Sequence, residues 1–303
     1  MSGISTNRSN ITLPTDISSE ILAKTQEASA IMRLARRITL PGRGLTIPVI
    51  TADATAAWVA ETAEKPVSNP SLSTKLMTPY KIAVIVPFSK EFLRDARALY
   101  DELVRRLPNA LGLVFDNTVI GATNAPGDNF DTFAACTAQS LIATSDASLY
   151  DGLVAAVTDV ATHNGILNGW ALSPTAVGLL LGATDSTGRP LFIDSAAAGG
   201  VPKLLGAPTY SSRGLTKAGT AGSDGTPAIV GVAGDWTQAL YGTVEGVQVD
   251  VSDQATVTVG SGTSQEAINL WQRNMVAVRA EIEVGFRADT SVFNLLTGAV
   301  PTA

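Results

Sequence analysis

The stretch AAWVAETAEKPVSNPSLSTKLMTPYKIAVIVPFSKEFLRD, Ala56–Asp95, decides how the whole chain is read. Its second half is strand-like. LSTKLMT alternates, with Leu72, Thr74 and Leu76 on one side and Ser73, Lys75 and Met77 on the other, and KIAVIVPFS (Lys81–Ser89) reads as a more buried strand. Its first half is a charged, Pro-bounded turn carrying Trp58, Glu61, Glu64 and Lys65, with no His, no Cys and no glycine-rich turn. Those residue types support neither nucleophilic catalysis nor a phosphate cradle.

Just upstream, LTIPVI (Leu45–Ile50) reads as another strand, which AAWVAE continues after a break. Together with LSTKLMT and KIAVIVPFS, residues 45–89 therefore predict a long β-hairpin or a pair of them. Taken as one arm, Leu45–Glu61 would span on the order of 50 Å. A compact chain of this length has a radius of gyration of roughly 19 Å. An isolated two-stranded hairpin is marginal in water. Either the hairpin folds back as an ordinary sheet edge, or it projects and lies on another chain. In the second case Trp58 is the anchor, and Glu61, Glu64 and Lys65 are rim charges.

The totals fit a protein that buries much apolar surface. Of 303 residues 45% are hydrophobic and only 16% charged, with a mean hydropathy of +0.21. That implies a large core or apolar surface covered by other subunits. The net charge of −6 argues against a strongly basic nucleic-acid binder. The charge is uneven. Residues 1–43 hold Arg8, Lys24, Arg33, Arg36, Arg37 and Arg43 against Asp16, Glu20 and Glu27, a net +3 that leaves −9 for the rest. This reads as a helix with a solvated basic face, or as an arm that touches something anionic. Cys136 is the single cysteine, so no internal disulfide forms. No secretion signal or transmembrane run is evident.

Elsewhere the pattern alternates between helix and strand. Ile21, Leu22, Thr25, Ala28, Ile31, Met32 and Ala35 have helical spacing, and Pro41-Gly42 ends that segment. Ser89 opens a long helix lined by Phe92, Ala96, Leu99, Leu103, Leu107, Ala110, Leu111 and Val114. Pro108 either kinks it or divides it in two. SDASLYDGLVAAVTDVATHN predicts a capped helix ending at Asn164-Gly165, and Ser173-Pro174 opens another. PKLLGAPTYSSR reads as one strand after a Gly turn. The last third is β-rich, with SQEAINLWQRN as a short helix or turn between strands. The fold class is α+β.

The search for chemistry is negative. His163, the only histidine, closes an amphipathic helix, and nothing links it to Cys136. There is no nucleophile elbow, no phosphate loop and no dinucleotide fingerprint. One His and one Cys argue against a zinc-type metal site. Acids such as Asp250 with Asp253, or Glu281 with Glu283, sit in strand or turn contexts where exposed acids are ordinary. They leave a carboxylate-based hydrolase as the remaining enzymatic reading. No catalytic residue, cofactor or metal is expected.

Six segments in order resemble the major capsid proteins of tailed bacteriophages, with the Hong Kong-type capsid fold, over about Leu13 to Leu296. The most specific is the opening stretch, similar to that family's extended E-loop: an aromatic–Val–x–Glu start, a Lys-Pro-x-Ser turn, and a return strand running into Ser-x-Glu. FDNTVIGAT resembles the end of the spine helix. DSTGRPLF and LLGAPTYSS resemble the A-domain. VAGDWTQALYGTVEGVQVDVS and NLWQRNMVAVRAEIEVGFRADTSVFNLL resemble the closing P-domain strands.

The resemblance implies an N-terminal arm (1–43), an E-loop hairpin (44–80), a P-domain part with the spine helix (81–143), an A-domain (144–228) and P-domain return strands with the C-terminus (229–303). It implies pentamers and hexamers that build an icosahedral shell around double-stranded DNA, without sequence-specific binding and without a membrane. The arm and E-loop would overlap neighbours, the A-domain would meet at the capsomer centre and the P-domain at local threefolds. Assembly would occur in the host cytoplasm and yield a virion capsid. Portal and decoration proteins are further expected partners, and with so short an N-terminal lead on an unprocessed chain, scaffolding would come from a separate protein or be dispensable. Some relatives join subunits by a Lys–Asn isopeptide bond assisted by Glu. Here Lys65, Asn274 and Glu281 stand at matching places, although a seven-residue offset puts the last two on opposite faces of a strand. The same fold also serves encapsulin-type bacterial compartments, the alternative reading.

Overall fold

The computed structural model describes residues 24–52, 58–59, 61, 64–65, 67, 71–91, 96–142, 148–184, 187–189, 191, 203–221, 225–260 and 265–299. Helical residues 24–28 and α1 (Ala30–Leu34) lead into β1 (Arg36–Thr39). Then come β2 (Leu45–Ala52), β3 (Ser71–Met77), β4 (Tyr80–Ser89) and the long helix α2 (Ala96–Val119). The middle holds β5 (Thr137–Ser140), α3 (Leu149–Thr162), β6 (Gly169–Leu172), α4 (Pro174–Leu181), β7 (Lys203–Leu204) and β8 (Ala207–Ser211). The end is β9 (Ile229–Gly234), β10 (Ala239–Thr243), β11 (Gln248–Ser252), β12 (Thr256–Val259), β13 (Glu266–Asn269), β14 (Met275–Ala288) and β15 (Phe293–Thr297).

Two sheets carry the subunit. In the first, β14 is central. β4 lies antiparallel along one edge, while β10 and β11 share the other, with β1 parallel to β10 outside. The second has the order β5-β15-β9-β6-β8-β7. Each sheet therefore joins strands far apart in sequence. β15 and β9 pair with each other, and β9 with β6, in this second sheet rather than in the sheet of β14.

The burial of β14 explains its place. Val276, Val278, Ala280, Ile282, Val284 and Phe286 are buried at every second position, and Leu107 and Leu111 of α2 pack on that face. Arg279, Glu281 and Glu283 alternate onto the open face. Helices α3 and α4 contribute Leu153, Ala156, Ala176 and Leu180 to a second core with Trp170 and Leu172 of β6. Phe115, Phe133, Trp236, Phe286 and Phe293 meet edge-on or stacked and fuse the spine helix to both sheets.

Several sequence expectations are corrected. The N-terminal helical run breaks at Ser29, whose side chain accepts from the Met32 N–H, and the chain turns into β1 before Pro41. Residues 24–43 pack on the subunit, with Ala30, Ile31, Met32 and Leu40 buried. AAWVAE does not continue β2: Trp58 and Val59 are irregular, and Ala56, Ala57 and Ala60 lie outside the described residues. Only β2 and β3 form the hairpin, since β4 departs to pair with β14. The long helix runs unbroken through Pro108, with Leu107, Leu111, Phe115 and Val119 buried at four-residue spacing. Ala110 and Val114 therefore face outward. PKLLGAPTYSSR makes two strands around a left-handed turn, with φ +49° at Leu205 and +85° at Gly206. SQEAINLWQRN holds β13 and a turn, not a helix.

Candidate subunit-contact surface

The β2–β3 hairpin has two contrasting ends. Its root is fixed. Met77 is fully buried, and the Arg287 guanidinium of β14 donates to the Leu76 carbonyl through Nε at 2.8 Å and Nη2 at 2.6 Å. The same guanidinium donates to Asp131 Oδ1 at 2.7 Å and Asn129 Oδ1 at 2.9 Å. Lys75 Nζ donates to the Ala288 carbonyl at 3.3 Å and lies 3.8 Å from Asp131. One mostly buried cation thus ties β3, β14 and the 129–131 loop together. Such a site is worth more than an exposed ion pair, because its removal takes several charge-assisted hydrogen bonds from half-buried acceptors at once.

The other end is bare. Trp58 is 105% exposed and Val67 87%, while Val59, Glu61, Glu64 and Lys65 are all exposed. The sequence singles out Trp58, Glu61, Glu64 and Lys65, and all four lie on this open loop. A fully solvated indole is an unusual resting state for the largest apolar side chain. The sequence reading missed a second such residue. Trp271 is 70% exposed in the turn between β13 and β14, beside the Arg273–Glu266 pair. The other two tryptophans, Trp170 and Trp236, are buried and donate their ring N–H to the Leu204 and Gly169 carbonyls.

The proposed cross-link residues are not assembled within one subunit. Asn274 sits in that turn with φ +53°, whereas Glu281 lies six residues into β14, roughly 20 Å away along an extended strand. The two oxygens of Glu281 face Arg279 Nε at 3.1 Å and Lys81 Nζ at 3.9 Å. A site using both Asn274 and Glu281 needs two copies of the chain.

The acids considered for hydrolysis are ion-paired on open strand faces or, for Asp253, in the bend after β11. Asp250 accepts from Arg279 at 2.7 Å, which raises the arginine's pKa, and Asp253 meets Lys90 at 3.0 Å. Glu283 meets Lys81 at 3.3 Å. Glu281 and Glu283 line a shallow hollow of about 150 Å³ with Glu245, and Lys81 bridges the two. His163 caps α3, exposed, with Nδ1 2.9 Å from the Asp159 carbonyl. The Cys136 thiol is pushed up to about 12 by burial and the charge of Asp289, and donates to the Thr290 carbonyl. It is inert near neutral pH. Among the described residues no cluster of metal-ligating side chains occurs, and no helix is long and apolar enough to cross a membrane.

The sequence model of the phage capsid family matches residues 9–290. A probable major capsid protein of Mycobacterium phage L5 is 31% identical, over 93% of this chain and 88% of its own length. Its counterpart in Mycobacterium phage D29 is 28% identical over the same shares. A solved chain from Mycobacterium phage Adephagia superposes with a TM-score of 0.69 at 20% identity, covering 91% of this chain and 92% of that one. A capsid chain of an empty GTA particle superposes with a TM-score of 0.61 at 14% identity, covering 90% of each. The chain belongs to the phage capsid family, and its fold is that of tailed-phage capsid proteins.

Proposed function

We propose that this chain is a major capsid protein whose copies assemble through pentamers and hexamers into an icosahedral shell enclosing double-stranded phage DNA. The observation that carries the reading is the hairpin: clamped at its root by Arg287 and Lys75, bare at its loop around Trp58. A loop held that way is positioned for a neighbour. Trp58 is the apolar anchor, with Glu61, Glu64 and Lys65 at its rim. Each contact need only be modest, because closure of a shell repeats it many times. The acidic balance suits a wall that surrounds DNA without gripping it. A separate scaffolding protein, a portal and decoration proteins are the further partners, the virion is the destination, and the host cytoplasm is the place of assembly.

The test is negative-stain microscopy with light scattering on the chain expressed alone and with its scaffold. Closed shells or capsomers support the reading, and Trp58→Ala should leave a folded subunit that assembles poorly. Shells that enclose an enzyme in place of DNA would move the assignment to a bacterial compartment. A monomer that stays monomeric with scaffold present would sink it.

A further inference from the structure

Asp116 is a buried acid that no shell contact accounts for. It lies on α2 with 0% exposure, in line with the apolar positions Leu111, Phe115 and Val119. Its Oδ1 accepts from Ser29 Oγ at 2.5 Å and its Oδ2 from the Ala30 N–H at 3.2 Å. The Ile31 N–H and the Ser212 side chain also bond to it. Three parts of the chain therefore meet at one carboxyl group: the start of α1, the spine helix, and the loop after β8. The backbones are close as well. A Cβ at Gly112 would stand 3.2 Å from the Ser29 nitrogen, and one at Gly214 would stand 2.7 Å from the Asp116 Cβ.

All these donors are neutral. The charged side chains on the converging segments, Lys24, Glu27, Arg33, Arg106 and Arg213, are exposed. None acts on the Asp116 carboxyl, which burial and hydrogen bonds alone govern. An ionised carboxylate buried without a cation is costly, whereas the neutral acid fits the same place and can donate as well as accept.

We propose that Asp116 is a proton-linked clasp: residues 24–35 seat on the spine helix with uptake of a proton at Asp116, and loss of that proton loosens the seat. Burial raises this carboxyl to about 6 from an ordinary 3.8, with the hydrogen bonds of Ser212, Ser29, Ala30 and Ile31 opposing the shift. The direction follows from linkage. A carboxyl raised in the seated state contributes most below the unseated value near 3.8, and its contribution is lost as pH rises through about 6. The full change is on the order of 100-fold in the seating equilibrium. The clasp is thus tight in mild acid and looser above neutrality.

Hydrogen exchange of residues 24–35 in assembled particles, corrected for the intrinsic pH dependence of exchange, reads this directly. Protection should fall by about tenfold between pH 5 and pH 8, the rest of the full change lying at lower pH. Asp116→Asn keeps the shape without the charge, and should hold protection at its acid level throughout. Ser29→Ala removes a donor that favours the ionised form, so it should move the transition to higher pH. The Ser29→Ala particles also decide the matter if Asp116→Asn does not fold. Protection independent of pH in the unaltered protein, the same pH profile in Asp116→Asn, or no upward shift in Ser29→Ala would overturn the proposal.

Discussion

Residues 24–43 and the β2–β3 hairpin that follows them are neighbours in sequence and opposites in packing. The first is sewn into its own subunit. Ile31 and Leu40 are essentially unexposed, β1 pairs in parallel with β10, and Arg33 stacks over the Tyr210 ring at 4.1 Å. Among the described residues the second is held at its base, and Leu45 and Leu76 remain partly in solvent. Both looked like segments that reach for neighbours. The difference teaches that apolar side chains at a helical spacing need a face to lie on, and here the subunit supplies it. An alternating two-stranded ribbon has a second face that its own subunit leaves uncovered.

The largest effects should fall on the sewn-in segment. Ile31→Ala should cost the subunit about 2–5 kcal/mol by opening a core cavity, measured by denaturant unfolding. Trp58→Ala should change subunit stability by less than about 0.5 kcal/mol while reducing shell yield. An Ile31→Ala protein as stable as the parent would mean that residues 24–43 leave their seat in solution.

Next comes the hairpin root. Arg287→Ala should destabilise by about 1–3 kcal/mol, because the Leu76 carbonyl loses both guanidinium donors and Asp131 Oδ1 loses its bond to Arg287. It should also raise exchange in β3 without raising it in β9. Equal loosening of both strands would make Arg287 a general core residue rather than a hairpin clamp.

Much of this contrast was hidden in the sequence, and the reasons are physical. The capped helix at Ser148 was legible because its signals are local: Ser148 accepts from the Asp151 N–H, and the Asp151 carboxylate accepts in return, which lowers its pKa. Ser173-Pro174 was legible for the same reason. β1 was not, because four residues reading RRIT become a strand only by pairing with β10 some 200 positions later. Asp116 was invisible as a clasp, since a charged letter inside an apolar helix stripe reads as an exposed position until Ser29 and Ser212 are placed against it. The loop at Trp58 was singled out by composition, whereas Trp271 stands out only through its exposure in the fold.

Smaller effects sharpen the picture. Ser148→Ala should cost about 1 kcal/mol through loss of the α3 cap. It should leave assembly intact, because the change is local to that helix. Covalent joining through Lys65 and Asn274 is expected to be absent. Mature particles should run on a denaturing gel as a single band near 31.3 kDa, and a ladder of oligomers abolished by Lys65→Arg would reverse that.

The most direct test of the central contrast is a cryo-electron microscopy map of the assembled shell at side-chain resolution. The account predicts Trp58 seated on an adjacent subunit, with residues 24–43 inside their own. A map with Trp58 in open solvent, or with α1 and β1 exchanged onto a neighbour, would contradict it.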